Sequence, residues 1–268
     1  MSAQLQTGHE SGTTILLRED RNGVATLTLN RPQQFNALSQ ALLTELLAAL
    51  REIANDKSVR VVVLAGAGKV FCAGHDLKEI RANPTKVFQQ SLFHLCSEVV
   101  QAMIGLPQPV IARVHGAAVA AGCQLVTMCD LAVAVEEARF AVPGVNLGLF
   151  CTTPAVGLSR NAGRKQAMEM LLTGDAIDAG TALARGLVNR VTAADQLDSE
   201  IARLTHSICA KSPAVIALGK KAFYQQSEMG MAAAYQYASE VMACNTQMPE
   251  AMEGIDAFIA QRAQRREP

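Results

Sequence analysis

The sequence predicts an α/β protein that turns helical toward its C-terminus. Short apolar runs alternate with amphipathic helical stretches as far as about residue 150, in a strand, strand, helix order that recurs. After Gly163 the chain reads mostly as helices, with no clear linker before them. At 268 residues the chain is long enough for one substantial core.

The elements follow in order. "TTILLRED" and "VATLTL" flank Asn22-Gly23, the residue pair of a two-residue hairpin. "NRPQQFNALS" reads as a loop, and "SQALLTELLAALREI" as a helix that the Ser39 hydroxyl can cap. "VRVVVLAG" is a buried strand, followed by the irregular "AGKVFCAGHDLKEI". A long helix, roughly 85–106, stops at Pro107. "PVIARVHG" is the next strand. "GAAVAAGCQLVTMCD", Gly116 to Asp130, then reads as a helix with unusually small residues at its mouth, and "LAVAVE" as a strand. Further on, "RKQAMEMLLTG", "DAGTALARG" and "ADQLDSEIARLTHSICAKS" are helical, with Gly174 and Gly186 placed as C-caps.

Composition excludes several classes. Lys plus Arg (24) equals Asp plus Glu (24), so no basic excess supports nucleic acid as the main partner or attracts an acidic membrane. The longest apolar region, Val114 to Val135, is interrupted by His115, Gln124 and Asp130 and does not read as a membrane span. The first dozen residues are polar and lack the apolar core of a signal peptide. Seven cysteines without a CxxC pair or zinc-type spacing to the five histidines fit free thiols in a reducing compartment. The expectation is a soluble, cytoplasmic protein with no metal.

Most motifs have bland readings. "GAGKVF", Gly66 to Phe71, lacks the second half of a Walker motif, and Phe71 breaks GxGxxG; it reads as a turn after a strand. His94 and Cys96, two apart on a helix, make no metal pair. Two segments remain: "FCAGHDLKE", Phe71 to Glu79, and the mouth of the 116–130 stretch. Both offer backbone N–H groups with little side-chain obstruction, at Ala73-Gly74 and at Ala121-Gly122. Aimed at one point, two such donors form an oxyanion hole for a polarised carbonyl. Taken separately, each is a tight turn.

The ordered segments "NAL" (Asn36 to Leu38), "FCAGHDLKE", "PVIARVHGAAVAAGCQL", "CDLAVA", "RFAVPGVNLGL" and "LLTGDAIDAGTALARGLVNRV" resemble the crotonase superfamily, which includes enoyl-CoA hydratases and isomerases. The resemblance covers the chain from about residue 13 onward. It implies a spiral of ββα turns with the acyl-CoA site in 13–205, and a helical trimerisation region in 206–268. The ligand it implies is a coenzyme A thioester of fatty-acid metabolism, with no permanently bound cofactor. The implied assembly is a homotrimer or a dimer of trimers.

It places the thioester oxygen between the N–H groups of Ala73 and Ala121. The coenzyme would lie along Ala37, Leu38, Ala73, Gly74, His75, Asp76 and Lys78. Lys69 and Arg81, near the ligand loop in sequence, are further candidates for its phosphates, and the resemblance implies one more basic residue from a neighbouring subunit's C-terminal helices, Lys220 or Lys221. Phe88, Phe93, Phe140 and Phe150 either shape an acyl pocket or pack the core.

The chain departs from the family's pattern at the catalytic carboxylates. Gln124 stands where the first hydratase glutamate is expected, Gly144 where the second is, and Thr152 where some members carry an aspartate. An amide cannot exchange a proton at neutral pH, so efficient hydration is not expected. His75 is a candidate substitute proton carrier unless it faces the coenzyme instead, as is Asp76 unless it caps the helix beginning at "LKEI". Cys72, Cys123 and Cys151 read as fillers rather than nucleophiles, and Asn146 as a donor or a turn residue. Three functions stay open: an atypical acyl-CoA enzyme, a non-catalytic acyl-CoA sensor or carrier, or an inactive partner in mixed trimers.

Overall fold

The computed structural model describes residues 14–264; the polar stretch 1–12, on which the signal-peptide reading rests, lies outside the described residues. The chain opens with an antiparallel hairpin of β1 (Leu16–Arg21) and β2 (Val24–Leu29). Asn22 and Gly23 both take positive φ (51° and 80°), as a two-residue turn between twisted strands requires. α1 (Gln40–Asn55) follows, its first turn capped by the Ser39 side chain accepting the Leu42 N–H at 3.2 Å. Leu42, Leu43, Leu46, Leu47, Leu50 and Ile53 give α1 one buried face.

β3 (Val61–Gly66) lies parallel to β2, with Val24 opposite Val61 and Leu29 opposite Gly66. After it come α2 (Leu77–Ala82) and α3 (Lys86–Gly105), the latter ending just before Pro107. β4 (Val110–Val114) pairs with β3, β5 (Ala118–Val119) is only two residues long, and α4 (Ala121–Met128) follows directly. β6 (Leu131–Val135), β7 (Arg139–Ala141) and a 3₁₀ turn at Pro143–Leu147 lead to α5 (Thr152–Asn161) and α6 (Arg164–Thr173). β8 (Ile177–Asp178), α7 (Ala179–Ala184) and β9 (Arg190–Thr192) complete the α/β part.

The larger sheet runs β1-β2-β3-β4-β6-β9, parallel from β2 onward, and the smaller runs β5-β7-β8. An isolated parallel bridge, Cys72 to Ala118, extends the small sheet. Each circuit therefore lays one strand in the large sheet, then a shorter segment against the small one, and then closes with helix. This is the spiral of ββα turns, and it explains why the repeat shows in order and spacing rather than in residues. The middle strands are covered on both faces, so β3 and β4 read as continuous apolar runs.

The helix expected from Gly116 starts at Ala121; residues 118–119 form β5 instead. Ala120 sits at φ 49° and donates its N–H to the Ala141 carbonyl at 2.8 Å, a strand-type bond that stops the helix extending backward.

α8 (Leu197–Cys209), α9 (Pro213–Ser227), α10 (Met231–Thr246) and α11 (Pro249–Gln264) form the C-terminal part. α8 runs across position 205. α9 is pinned to the core by Lys220, whose ammonium donates to Asp130 Oδ2 (2.7 Å) and to the carbonyls of Met103 (2.9 Å) and Gln108 (3.0 Å). Tyr224 donates to the other oxygen of Asp130 at 2.9 Å, so the buried charge pair has its hydrogen bonds filled. Phe223, Met231, Tyr235, Met242, Phe258 and Ile259 on these helices are exposed. No helix among the described residues is long and apolar enough to cross a membrane.

Candidate functional site

Three segments meet beyond the C-terminal ends of β2, β3 and β4. The first is organised by Asn36, fully buried and in the left-handed region (φ 55°). Its amide nitrogen donates to the carbonyls of Ala67 (2.8 Å), Val70 (2.8 Å) and Phe71 (3.1 Å), and its oxygen accepts the Arg31 N–H (3.0 Å). The turn after β3 is thus wrapped around one side chain. Leu38 then forms a parallel bridge with His75: the Leu38 N–H donates to Gly74 O (2.8 Å), and Leu38 O accepts the Asp76 N–H (3.1 Å).

Arg31 locks this junction. Its guanidinium donates to the Ala37 carbonyl and pairs with Asp76 at 3.0 Å, both side chains being mostly buried. Asp76 also caps α2, accepting the N–H groups of Lys78 (3.1 Å) and Glu79 (3.3 Å). Burial alone would raise the Asp76 carboxyl, but the hydrogen bonds from Arg31, Glu79 and Lys78 prevail and hold it below the ordinary carboxylate range. Asp76 is a structural anion, and its part as a proton carrier is set aside.

The third segment, the start of α4, packs on the second through backbone. A Cβ on Gly122 would stand 2.2 Å from the Cys72 carbonyl oxygen. One on Gly74 would stand 2.9 Å from Ala120 Cβ and 3.2 Å from the Ala121 nitrogen. The small residues in "AAGC" are there because two backbones touch. Gly74 also takes φ +92°, which an L side chain rarely adopts.

The donors differ from the expected pair in one member. The Ala73 N–H is taken by the Phe35 carbonyl at 3.0 Å, so Ala73 is not a free donor. The bridge to Leu38 uses the groups of Gly74 and Asp76 that flank His75, which turns the His75 N–H to the opposite side. Among the described residues it has no acceptor. Ala121 is the first residue of α4, and its N–H is one of the donors a helix leaves unpaired. Free donors therefore lie at His75 and Ala121, on segments joined at Gly74.

The His75 ring packs edge-on against Phe93, centroids 5.1 Å apart, and neither ring nitrogen finds a partner among the described residues. Burial pushes the imidazole down to about 4, so it is neutral at pH 7. Gln124 is 5 % exposed, and its Oε1 is also without a partner. At Gly144 a Cβ would meet the Leu149 carbonyl at 2.7 Å and Cys151 Sγ at 2.8 Å, so the space where a second carboxylate would begin is filled. Thr152 opens α5 as an exposed residue, and Asn146 is exposed in the preceding 3₁₀ turn.

Burial pushes the Cys72 and Cys123 thiols up to about 12 and raises that of Cys151, which fits their reading as fillers. Phe140 is fully buried core. Lys69, Lys78, Arg81 and Lys221 are exposed, whereas Lys220 is consumed by its three acceptors and cannot also hold a phosphate. His94 is exposed and Cys96 buried, and no group of three or more His, Cys, Asp or Glu suited to a metal occurs among the described residues.

Arg31 was invisible in the sequence because a loop arginine carries no signal of its buried partner. The His75 N–H was missed because strand pairing, not composition, decides which amide of a turn faces inward.

Comparisons with known proteins identify the family and the fold. The family model described as Enoyl-CoA hydratase/isomerase matches residues 19–266. Enoyl-CoA hydratase domain-containing protein 3, mitochondrial, of Xenopus laevis is 43% identical over 256 residues, 96% of this chain and 87% of that protein. The crystal structure of human enoyl-coenzyme A hydratase domain-containing protein 3 superposes with a TM-score of 0.89 at 39% identity, covering 95% of this chain and 99% of that one. An enoyl-CoA hydratase of Mycobacterium smegmatis superposes at 0.91 with 56% identity, covering 93% and 97%. With a ββα spiral that joins two loops through backbone contact, and a family match over nearly the whole chain, this protein belongs to the enoyl-CoA hydratase/isomerase family, the crotonases.

Proposed function

We propose that this chain binds acyl-CoA thioesters and polarises the thioester carbonyl between the N–H groups of His75 and Ala121, with weak or atypical hydratase/isomerase-like lyase chemistry. One observation carries the reading: two backbone donors without acceptors among the described residues stand on segments that meet at Gly74. Hydrogen bonds to a developing enolate oxygen stabilise it, and loss of one such donor typically costs ~3–4 kcal/mol. The backbone at Ala37, Leu38 and Ala73 to Asp76, with Lys78 beside it, supplies the coenzyme's groove in this reading.

Proton transfer is the missing half. Gln124 can hold a water but exchanges no proton, and Gly144 offers nothing. His75, neutral with its pKa near 4, is a weak base at pH 7. A second reading, an acyl-CoA sensor or carrier that performs no hydration, is favoured by Cys151 Sγ and Leu149 O filling the space at Gly144. The third, an inactive partner in mixed trimers, would need the site to be blocked.

The apolar side chains exposed on α9, α10 and α11 support an oligomerisation role for the region from residue 206 onward, in a homotrimer or a dimer of trimers. A cytoplasmic location is proposed from seven cysteines that all remain free, although the vertebrate relatives carry "mitochondrial" in their names.

The test is incubation with enoyl-, dienoyl- and 3-hydroxyacyl-CoA thioesters in heavy-oxygen water, read by mass spectrometry. Slow isotope incorporation is expected. No conversion of any thioester, neither oxygen incorporation nor double-bond isomerisation, with thioesters still raising the melting temperature, selects the sensor or carrier. Neither incorporation nor heat protection overturns acyl-CoA binding.

A further inference from the structure

The His75 donor hangs from the loop between β2 and α1, and that loop is strained. Phe35 and Asn36 are consecutive, neither is glycine, and both take positive φ (51° and 55°). Such backbone persists only where its surroundings over-determine it, and it gathers where a conformation serves a site. Phe35 is 58 % exposed, so burial of its ring does not impose the shape. Hydrogen bonds from this loop to residues 67–76 do, and one set of them begins on Arg31.

Arg31 stands at the head of a chain of hydrogen bonds that ends on the donor. Its guanidinium Nη1 donates to the Ala37 carbonyl. That carbonyl shares a peptide group with the Leu38 N–H, which donates to the Gly74 carbonyl at 2.8 Å. The Gly74 carbonyl shares a peptide group with the His75 N–H, the donor left without an acceptor among the described residues. In a trans peptide the carbonyl and the N–H point in opposite directions, so the bonds run one way, from the guanidinium to His75. Each bond accepted by a carbonyl makes the N–H of the same peptide a better donor, and a charged first member is the strongest start such a chain can have.

The head of the chain is fixed. Arg31 Nη2 donates to Asp76 Oδ2 at 3.0 Å, so the guanidinium joins the residue before Leu38 to the residue after His75. Its main chain is tied to Asn36 in both directions: the Arg31 N–H donates to Asn36 Oδ1 (3.0 Å), and the Arg31 carbonyl accepts the Asn36 N–H (2.9 Å). Both ionised side chains are mostly buried, at 17 % and 14 % exposure, which spares the pair most solvent screening. Ala121 is held otherwise, as the first residue of α4, by backbone contact between Gly122 and Cys72.

We infer that Arg31 is a positioning residue for the His75 donor. Through the Ala37–Leu38 and Gly74–His75 peptide groups it fixes the direction of that N–H and strengthens it, while the Ala121 donor is independent of it. The assignment rests on the acyl-CoA reading proposed above.

The test reads the polarised bond itself. Octanoyl-CoA labelled with heavy carbon at its carbonyl is bound to the full-length protein, and difference infrared spectroscopy compares its carbonyl stretch with that in buffer. The native protein lowers the frequency. Arg31→Met loses much of that shift, yet weakens octanoyl-CoA by no more than about tenfold, as expected for one hydrogen bond. Arg31→Lys keeps the charge but not the planar fork, so it cannot hold Ala37 and Asp76 together and recovers only part of the shift. Melting curves show which variants are folded, and the lysine variant decides the matter if the methionine one is not. A full native shift in either folded variant, whatever its melting temperature, makes Arg31 a purely structural residue and overturns the inference while leaving the acyl-CoA reading intact. A native protein that does not bind octanoyl-CoA, or binds it without lowering the carbonyl frequency, overturns that reading and the inference with it.

Discussion

The two walls of the candidate site are built from different materials. The donor wall is backbone: the N–H groups of His75 and Ala121 are held by contacts at Gly74 and Gly122 so close that a single methyl group does not fit. In the proposed function the proton-transfer wall is side chain, at Gln124 and Gly144, two residues that are neither acid nor base. Backbone donors are removed only by proline and are otherwise merely displaced, so they persist through most substitutions wherever the packing persists. Side-chain acids vanish with one residue. In the proposed function, the binding half of the mechanism is therefore held rigidly while neither proton-transfer position carries a carboxylate.

The largest expected effect strikes the donor wall. Gly122→Ala drives a Cβ to 2.2 Å from the Cys72 carbonyl, and overpacking of that kind costs about 3 kcal/mol. Urea unfolding should show that loss, and thioesters should no longer protect the variant against heat. A variant of native stability and affinity would mean the two segments are not in rigid contact.

His75 separates main chain from side chain at a single position. Its folded-state pKa of about 4 lies below the ordinary 6.5, so between those values the unfolded chain takes up a proton that the folded chain refuses. The neutral ring's contribution is complete above pH 6.5 and is lost as pH falls through 4, amounting to about 3 kcal/mol. His75→Leu should flatten that part of the stability profile and leave thioester affinity nearly intact, because the donor is the amide. An affinity that disappears with the ring would assign the contact to the imidazole instead.

At the other wall, Gly144→Glu should cost about 1–3 kcal/mol and restore no hydration, because Cys151 Sγ and Leu149 O occupy the room its side chain needs. Recovery of hydratase turnover in this variant would show that the space opens on binding. The smallest effect is expected for Gln124→Ala, where turnover should change by less than about threefold, since an amide takes no part in general acid–base steps. A large drop with affinity retained would make the Gln124 amide part of the chemistry.

Much of the fold was legible. The Asn22-Gly23 hairpin, the Ser39 cap and the stop at Pro107 are local signals, and each appears where its chemistry puts it. What escaped was set at a distance. Strands of two or three residues, such as β5, β7 and β8, are too short for any periodicity to register. The start of α4 depends on Ala120 bonding to Ala141, 21 positions later, and not on the helix propensity of an Ala-rich stretch. Lys220 reads as a solvent or phosphate lysine until Asp130, 90 residues earlier in the chain, takes it up. In the site, the segments were recognisable but the choice between adjacent amides was not, because pairing parity belongs to the folded chain.

Ala120 has one more consequence, for anyone seeking a hardier version of the molecule. Its φ of 49° stores strain of order 1–3 kcal/mol immediately before the Ala121 N–H. Glycine adopts that conformation freely, so the position is an obvious target for thermal hardening. It would also slacken the turn that presents Ala121, and heat tolerance gained there would come with a less sharply aimed donor.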